Sequence, residues 1–132
     1  SGGLLRLGPE RDFYPNEVLG ILLEAIKDAV SRVPNDSRRQ HVLTSILDAN
    51  RLQENPLEGR REQLKKLLRG TSTIDRKMRR ELEGMGFSLS EEGKHFKLVF
   101  QGDDRYTFTL PKSGSDWRGG LNAASDIGRL LF

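Results

Sequence analysis

The chain has no cysteine, only two histidines and one tryptophan, and no long apolar run. Without cysteine there is no disulfide, thiol nucleophile or thiolate metal site, which fits a reducing, cytoplasmic setting. No apolar stretch approaches the roughly 18–20 residues that span a bilayer, and no signal-peptide pattern opens the sequence, so no membrane partner is expected. A strong excess of one charge is missing too: 22 basic residues face 19 acidic ones, a net +3. Residues 1–70 carry 12 basic and 10 acidic side chains, and residues 71–132 carry 10 and 9. Nucleic-acid domains are usually more lopsided, so any electrostatic footprint has to be local. The Asp103-Asp104 pair lacks further oxygen ligands at calcium-loop spacing, and neither a metal nor a cofactor is expected.

What is present is an ordinary globular composition. The 132 residues are 35% hydrophobic and 31% charged, enough for one modest core or two small ones. The opening Ser1-Gly2-Gly3 resembles a cleavage scar, so the chain is expected to belong to a larger parent protein.

The first half predicts helices. From Pro15 to Val33, Val18, Leu19, Leu22, Ile26, Ala29, Val30 and Val33 recur at three- and four-residue steps, with Phe13 and Tyr14 stapling the start. Residues 34–37 break the pattern and offer Asp36 as N-cap to a second helix carrying Val42, Leu43, Ile46, Leu47 and Ala49. Asn55-Pro56 opens a third helix that ends before Gly70, and Ser72 with Asp75 has the spacing of a capping box for a fourth, through Met78, Leu82 and Met85 to Gly86. The boundary falls at 70–73, giving a helical subdomain over 1–71 and a second domain over 72–132. Basic pairs at Arg38-Arg39, Arg60-Arg61, Lys65-Lys66 and Arg79-Arg80 are interspersed with glutamates, as on a solvated helix face. His41, beside the apolar stripe of the second helix, reads as structural.

The second half predicts a small sheet. Phe87–Ser90 makes a short strand and residues 91–93 a turn. Lys94 to Phe100 alternates as a second strand, residues 101–104 turn again, and Arg105 to Leu110 returns antiparallel before Pro111. Period two sends Phe96, Leu98, Phe100, Tyr106, Phe108 and Leu110 inward. It sends His95, Lys97, Val99, Arg105, Thr107 and Thr109 outward. A last helix offers Leu121, Ala124, Ile127, Leu130 and Leu131 to the inner face. The fold class is therefore α+β: a helical subdomain, then an α-β-β-β-α unit with both helices on one face of a three-stranded antiparallel sheet.

Gly86-Phe87, Gly93-Lys94-His95-Phe96, Leu110-Pro111, the polar stretch 112–116 and Gly119-Gly120 together resemble the double-stranded-RNA-binding-domain-like fold of HicA-type mRNA interferase toxins. The similarity covers about residues 74–132. It implies RNA binding or cleavage and puts His95 at the toxin's catalytic histidine. Phe96 stands where that family has a second histidine and Lys94 where it has serine, and the helical first half has no counterpart. A metal-independent ribonuclease needs a base, an acid and a charge stabiliser; His95 can fill one post, with Lys97 or Arg105 neutralising charge.

Lys112, Ser113 and Ser115 precede the last helix in a loop whose amides can face an anion, with Arg118 and Asn122 beside it; alternatively Ser115 or Asp116 simply caps that helix. Trp117 either covers the core edge or stacks on a base. The favoured function is an accessory domain that binds nucleic acid, RNA over DNA, through Lys94, His95, Lys97, Arg105, Lys112, Ser113, Ser115, Arg118 and Asn122. The alternatives are a HicA-like ribonuclease using His95 and a protein-interaction or oligomerisation module built on the amphipathic helices.

Overall fold

In a computed structural model the described residues are 3–51, 55–69, 74–112 and 118–132, the last segment without the side chains of 118–122. Among them the chain is α+β, with five helices and one three-stranded antiparallel sheet. The order is α1 (Glu17–Val30), α2 (Arg38–Ala49), α3 (Pro56–Leu68), α4 (Arg76–Gly84), β1 (Phe87–Glu92), β2 (His95–Phe100), β3 (Thr107–Pro111) and α5 (Arg118–Leu131). No helix among the described residues is long and apolar enough to cross a membrane. Two compact units form, Ser1–Leu57 and Glu58–Phe132. The expected boundary at 70–73 lies outside the described residues, as do Gly70 and Ser72.

In the first unit α1 and α2 pack as a hairpin. Helix α1 starts after Asn16, which takes a left-handed conformation (φ 65°) while the Asp12 carboxylate accepts the Val18 N–H at 2.8 Å, and it ends at Val30, short of Val33. Gly20 lets the chain close on α1: a Cβ there would meet Pro56 Cγ at 3.1 Å. The cap of α2 is Ser37, which accepts the Gln40 N–H, and not Asp36. Asp36 sits one residue earlier at φ 63° and turns its carboxylate to His41 Nε2, 2.7 Å away.

The second unit holds the larger core. Asp75 caps α4 by accepting the Met78 N–H at 2.8 Å, so it is itself the N-cap rather than the third residue of a box. Met78, Leu82 and Met85, on one stripe, are buried with Phe87, Phe96, Leu98, Phe100 and Leu110 of the sheet. Phe100 is fully buried between Phe87 (centroids 5.1 Å apart) and Phe132 (5.7 Å, edge-on). From α5, Ala124 and Ile127 join this core, whereas Leu130, expected inside, is 64% exposed, and the inward apolar end is Phe132. Leu121 is outside the described side chains. Because α4 reaches Phe96 through Arg79 and α5 reaches Phe100 through Phe132, both helices lie on the same sheet face.

The strands run further than expected at one turn and less far at the other. Glu91 and Glu92 belong to β1, and the turn is Gly93-Lys94, with φ 59° at Gly93 and no positive φ at Lys94, a type II′ pattern. At the other end Gln101 and Gly102 both have positive φ and Asp103 N–H returns to the Phe100 carbonyl, so the turn is of I′ kind. A second turn, from Asp103 to Tyr106, then delays β3 until Thr107.

Candidate nucleic-acid interface

The register of the sheet defines a face that neither α4 nor α5 covers. Three cross-strand rows stand on it: Ser88–Val99–Thr107, Ser90–Lys97–Thr109 and Glu92–His95–Pro111. The four hydroxyl residues, Glu92 and His95 are exposed, while Lys97 and Val99 are half-buried among them. The opposite parity, Phe96, Leu98 and Phe100, is buried. Alternation of the β-strand thus separates an aromatic interior from a surface of hydroxyls, one imidazole, one ammonium and one carboxylate.

His95 opens β2 beside the Gly93-Lys94 turn. Lys94 and His95 make no side-chain hydrogen bond or ion pair with another described residue, so both can turn to a ligand. Lys97 Nζ lies 4.0 Å from Glu92 Oε1 in an exposed, loose pair. Glu92, absent from the sequence-based set, is the cross-strand partner of His95 and adds a carboxylate to the imidazole and ammonium of the face. Its place follows from a register that sequence spacing does not reveal.

Two other expected contacts lie elsewhere. Arg105 precedes β3 in the loop, where Asp103 accepts from its Nη2 (2.7 Å), from its Nε and from its backbone N–H. Those bonds, the Arg105 side chain first, hold the Asp103 carboxyl below its ordinary value. Lys112 follows Pro111 on the helix-bearing side, with Nζ 3.6 Å from Glu91 and 5.7 Å from the centre of the Phe96 ring. Arg79 approaches the same ring at 5.9 Å and donates Nη2 to the Leu89 carbonyl at 3.0 Å. These two cations seal the end of the core. Ser113, Ser115, Asp116 and Trp117, and the side chains of Arg118 and Asn122, lie outside the description. His41 is in the first unit, exposed and bonded to Asp36.

The division at Leu57 also redistributes charge. Residues 1–57 carry seven basic and eight acidic side chains, net −1, and residues 58–132 carry fifteen and eleven, net +4. The bias was hidden by counting α3, with Arg60, Arg61, Lys65 and Lys66, in the first half. Where α3 meets α5, Arg61, Lys65, Ser125 and Arg129 line a cleft of about 270 Å³. Arg61 donates to the Phe132 carbonyl there, while Lys65 and Arg129 keep exposed partners in Glu62 and Asp126. Among the described residues no cluster of three or more His, Asp or Glu side chains could hold a metal ion. Compared with protein-family models, curated proteins and solved structures, the chain matches none.

Proposed function

We propose that residues 58–132 form a nucleic-acid-binding domain of a larger intracellular protein, in the arrangement of the double-stranded-RNA-binding-domain-like and HicA-like fold, and that it grips the sugar–phosphate backbone of RNA. The carrying observation is the open sheet face, with Lys97, His95, Ser88, Ser90, Thr107 and Thr109 in register and Lys94 at its edge. Hydroxyls and cations suit phosphate oxygens and 2′-hydroxyls. Among the described residues the face has no aromatic ring on which a base could stack, so backbone contact is favoured over reading of bases. RNA is preferred to DNA through the fold likeness and the hydroxyl rows, which match a shallow A-form surface. The order α4-β1-β2-β3-α5 and the two helices on one face support the fold assignment.

The test is fluorescence anisotropy of the whole chain with a labelled RNA duplex between about 50 and 200 mM salt. Two phosphate contacts, from Lys94 and Lys97, correspond to a log–log slope near −2, and Lys97→Ala should shallow it by about one unit. Absence of binding at 50 mM salt, or a slope unchanged in Lys97→Ala, contradicts the proposal.

A second reading, metal-independent RNA cleavage, is favoured by Glu92 opposite His95. Glu92 would take the 2′-hydroxyl proton, Lys97 would neutralise the phosphorane, and protonated His95 would protonate the 5′ leaving oxygen, releasing a 2′,3′-cyclic phosphate. Cyclic-phosphate ends that vanish in His95→Ala, with binding retained, would establish it.

A further inference from the structure

We infer that the α1–α2 hairpin is a self-association surface that packs against a second copy of the chain, α2 against α2 in antiparallel sense. At 100° per residue, Glu17, Glu24, Lys27 and Asp28 of α1 fall within about 100° of arc, and the arc from Ile21 round to Leu23 is apolar. An amphipathic surface helix needs a stripe of about 100°, so an arc near twice that width calls for a neighbour beyond α2. Ile21 is 47% and Leu22 41% exposed, and Ala25 beside them is exposed as well. Helix α2 has no buried residue at all. Gln40, Leu43, Ile46 and Leu47 reach only half-burial, a thin support for a twelve-residue helix in water.

Charge identifies the occupant. Arg38 and Arg39 stand in the first turn of α2 and Asp48 in its last, with no acidic residue at the start and no basic one at the end. This opposes the helix dipole at both termini. Along one side of α2 run Arg38, Val42, Ser45 and Ala49, three or four residues apart, with Asp48 on its border. An antiparallel copy sets the basic first turn of each helix against the acidic last turn of the other, across small or apolar side chains that allow close approach. The mismatch with the dipole is then offset twice by one two-fold axis, and the two hairpins form a four-helix bundle. Among the described residues Asp48 pairs only with Arg51, an exposed partner within its own chain at 3.1 Å.

The experiment is light scattering and sedimentation equilibrium on the whole chain at about 10–100 μM. The expected mass is twice 14.9 kDa. Arg38→Asp removes a charge that opposes its own helix, so helix content by circular dichroism is kept or raised while dimer dissociation rises at least about tenfold through Asp48 of the other copy. Asp48→Arg should weaken the dimer similarly, and the double swap Arg38→Asp with Asp48→Arg should restore it. A monomer throughout this range, or single variants that dimerise like the parent chain, overturns the inference. So does a double swap that stays as weak as either single change, since only a second copy carries both partners.

Discussion

Glu92→Gln removes one negative charge from the open sheet face and keeps the side chain's length. The carboxylate it replaces lies 4.0 Å from Lys97 Nζ and opposite His95, in a pair that water screens. An exposed pair of this kind contributes about 0.2–1 kcal/mol, so folding stability should fall by no more than that. Binding should move the other way. A phosphate seated on Lys97 would sit roughly 6–8 Å from the carboxylate, where two unit charges in water repel by about 0.5–0.7 kcal/mol. Together with an ammonium freed from its neighbour, the gain is about 1 kcal/mol, or roughly fivefold tighter RNA binding. Anisotropy at 50 mM salt should show this gain in full, and it should narrow at 150 mM, where the screening length is about 8 Å. Unchanged or weaker binding in Glu92→Gln would refute the seating of phosphate on Lys97. Loss of RNA cleavage in the same variant would instead favour Glu92 as a base.

Other consequences are structural. Gly86 has φ 107°, and a Cβ there would lie 2.5 Å from Gln101 Nε2 and 3.2 Å from Phe100 Cε1, so Gly86→Ala should cost about 1–3 kcal/mol and lower the urea midpoint. Asp75→Ala, removing the α4 cap, should cost ~1 kcal/mol in thermal unfolding. Phe100→Ala, which empties a fully buried site between two rings, should cost about 3–5 kcal/mol by the same measurement. Asp103 has its folded pKa depressed below 3.8 by Arg105; its contribution is therefore complete above the unfolded value and is lost as pH falls through the folded one. Carbon NMR of the carboxyl should titrate below the normal aspartate range, and Arg105→Ala, which removes the guanidinium but keeps the backbone N–H bond, should move it part of the way back.

Legibility in the sequence followed the regularity of the side chains. From His95 to Phe100 polar and apolar residues alternate cleanly, and the burial of Phe96, Leu98 and Phe100 follows that alternation. Glu91 obscured the continuation of β1 because it is a charged residue at an inward parity; the structure tolerates it at the end of the sheet, where Lys112 reaches it at 3.6 Å. Arg105 read as the start of β3, but Asp103, two residues earlier, takes its guanidinium and holds the chain in a turn. Gly86 and Pro56 were legible as punctuation because their backbone restrictions are local. The pairing of Glu92 with His95 and the cleft between α3 and α5 depend on register and on helix packing, which no local pattern carries. Charge grouping failed for a related reason: α3 belongs by contact to the second unit from Glu58 onward, although it follows the first two helices in sequence.

The most direct test of the central claim is a titration of the isotope-labelled chain with duplex RNA at low salt, followed by backbone amide NMR. The account predicts that shifts concentrate on Ser88, Ser90, His95, Lys97, Thr107 and Thr109 and at the Gly93-Lys94 turn, and that they fade as salt is raised. Shifts confined to α1 and α2, or none at any RNA concentration, would contradict it.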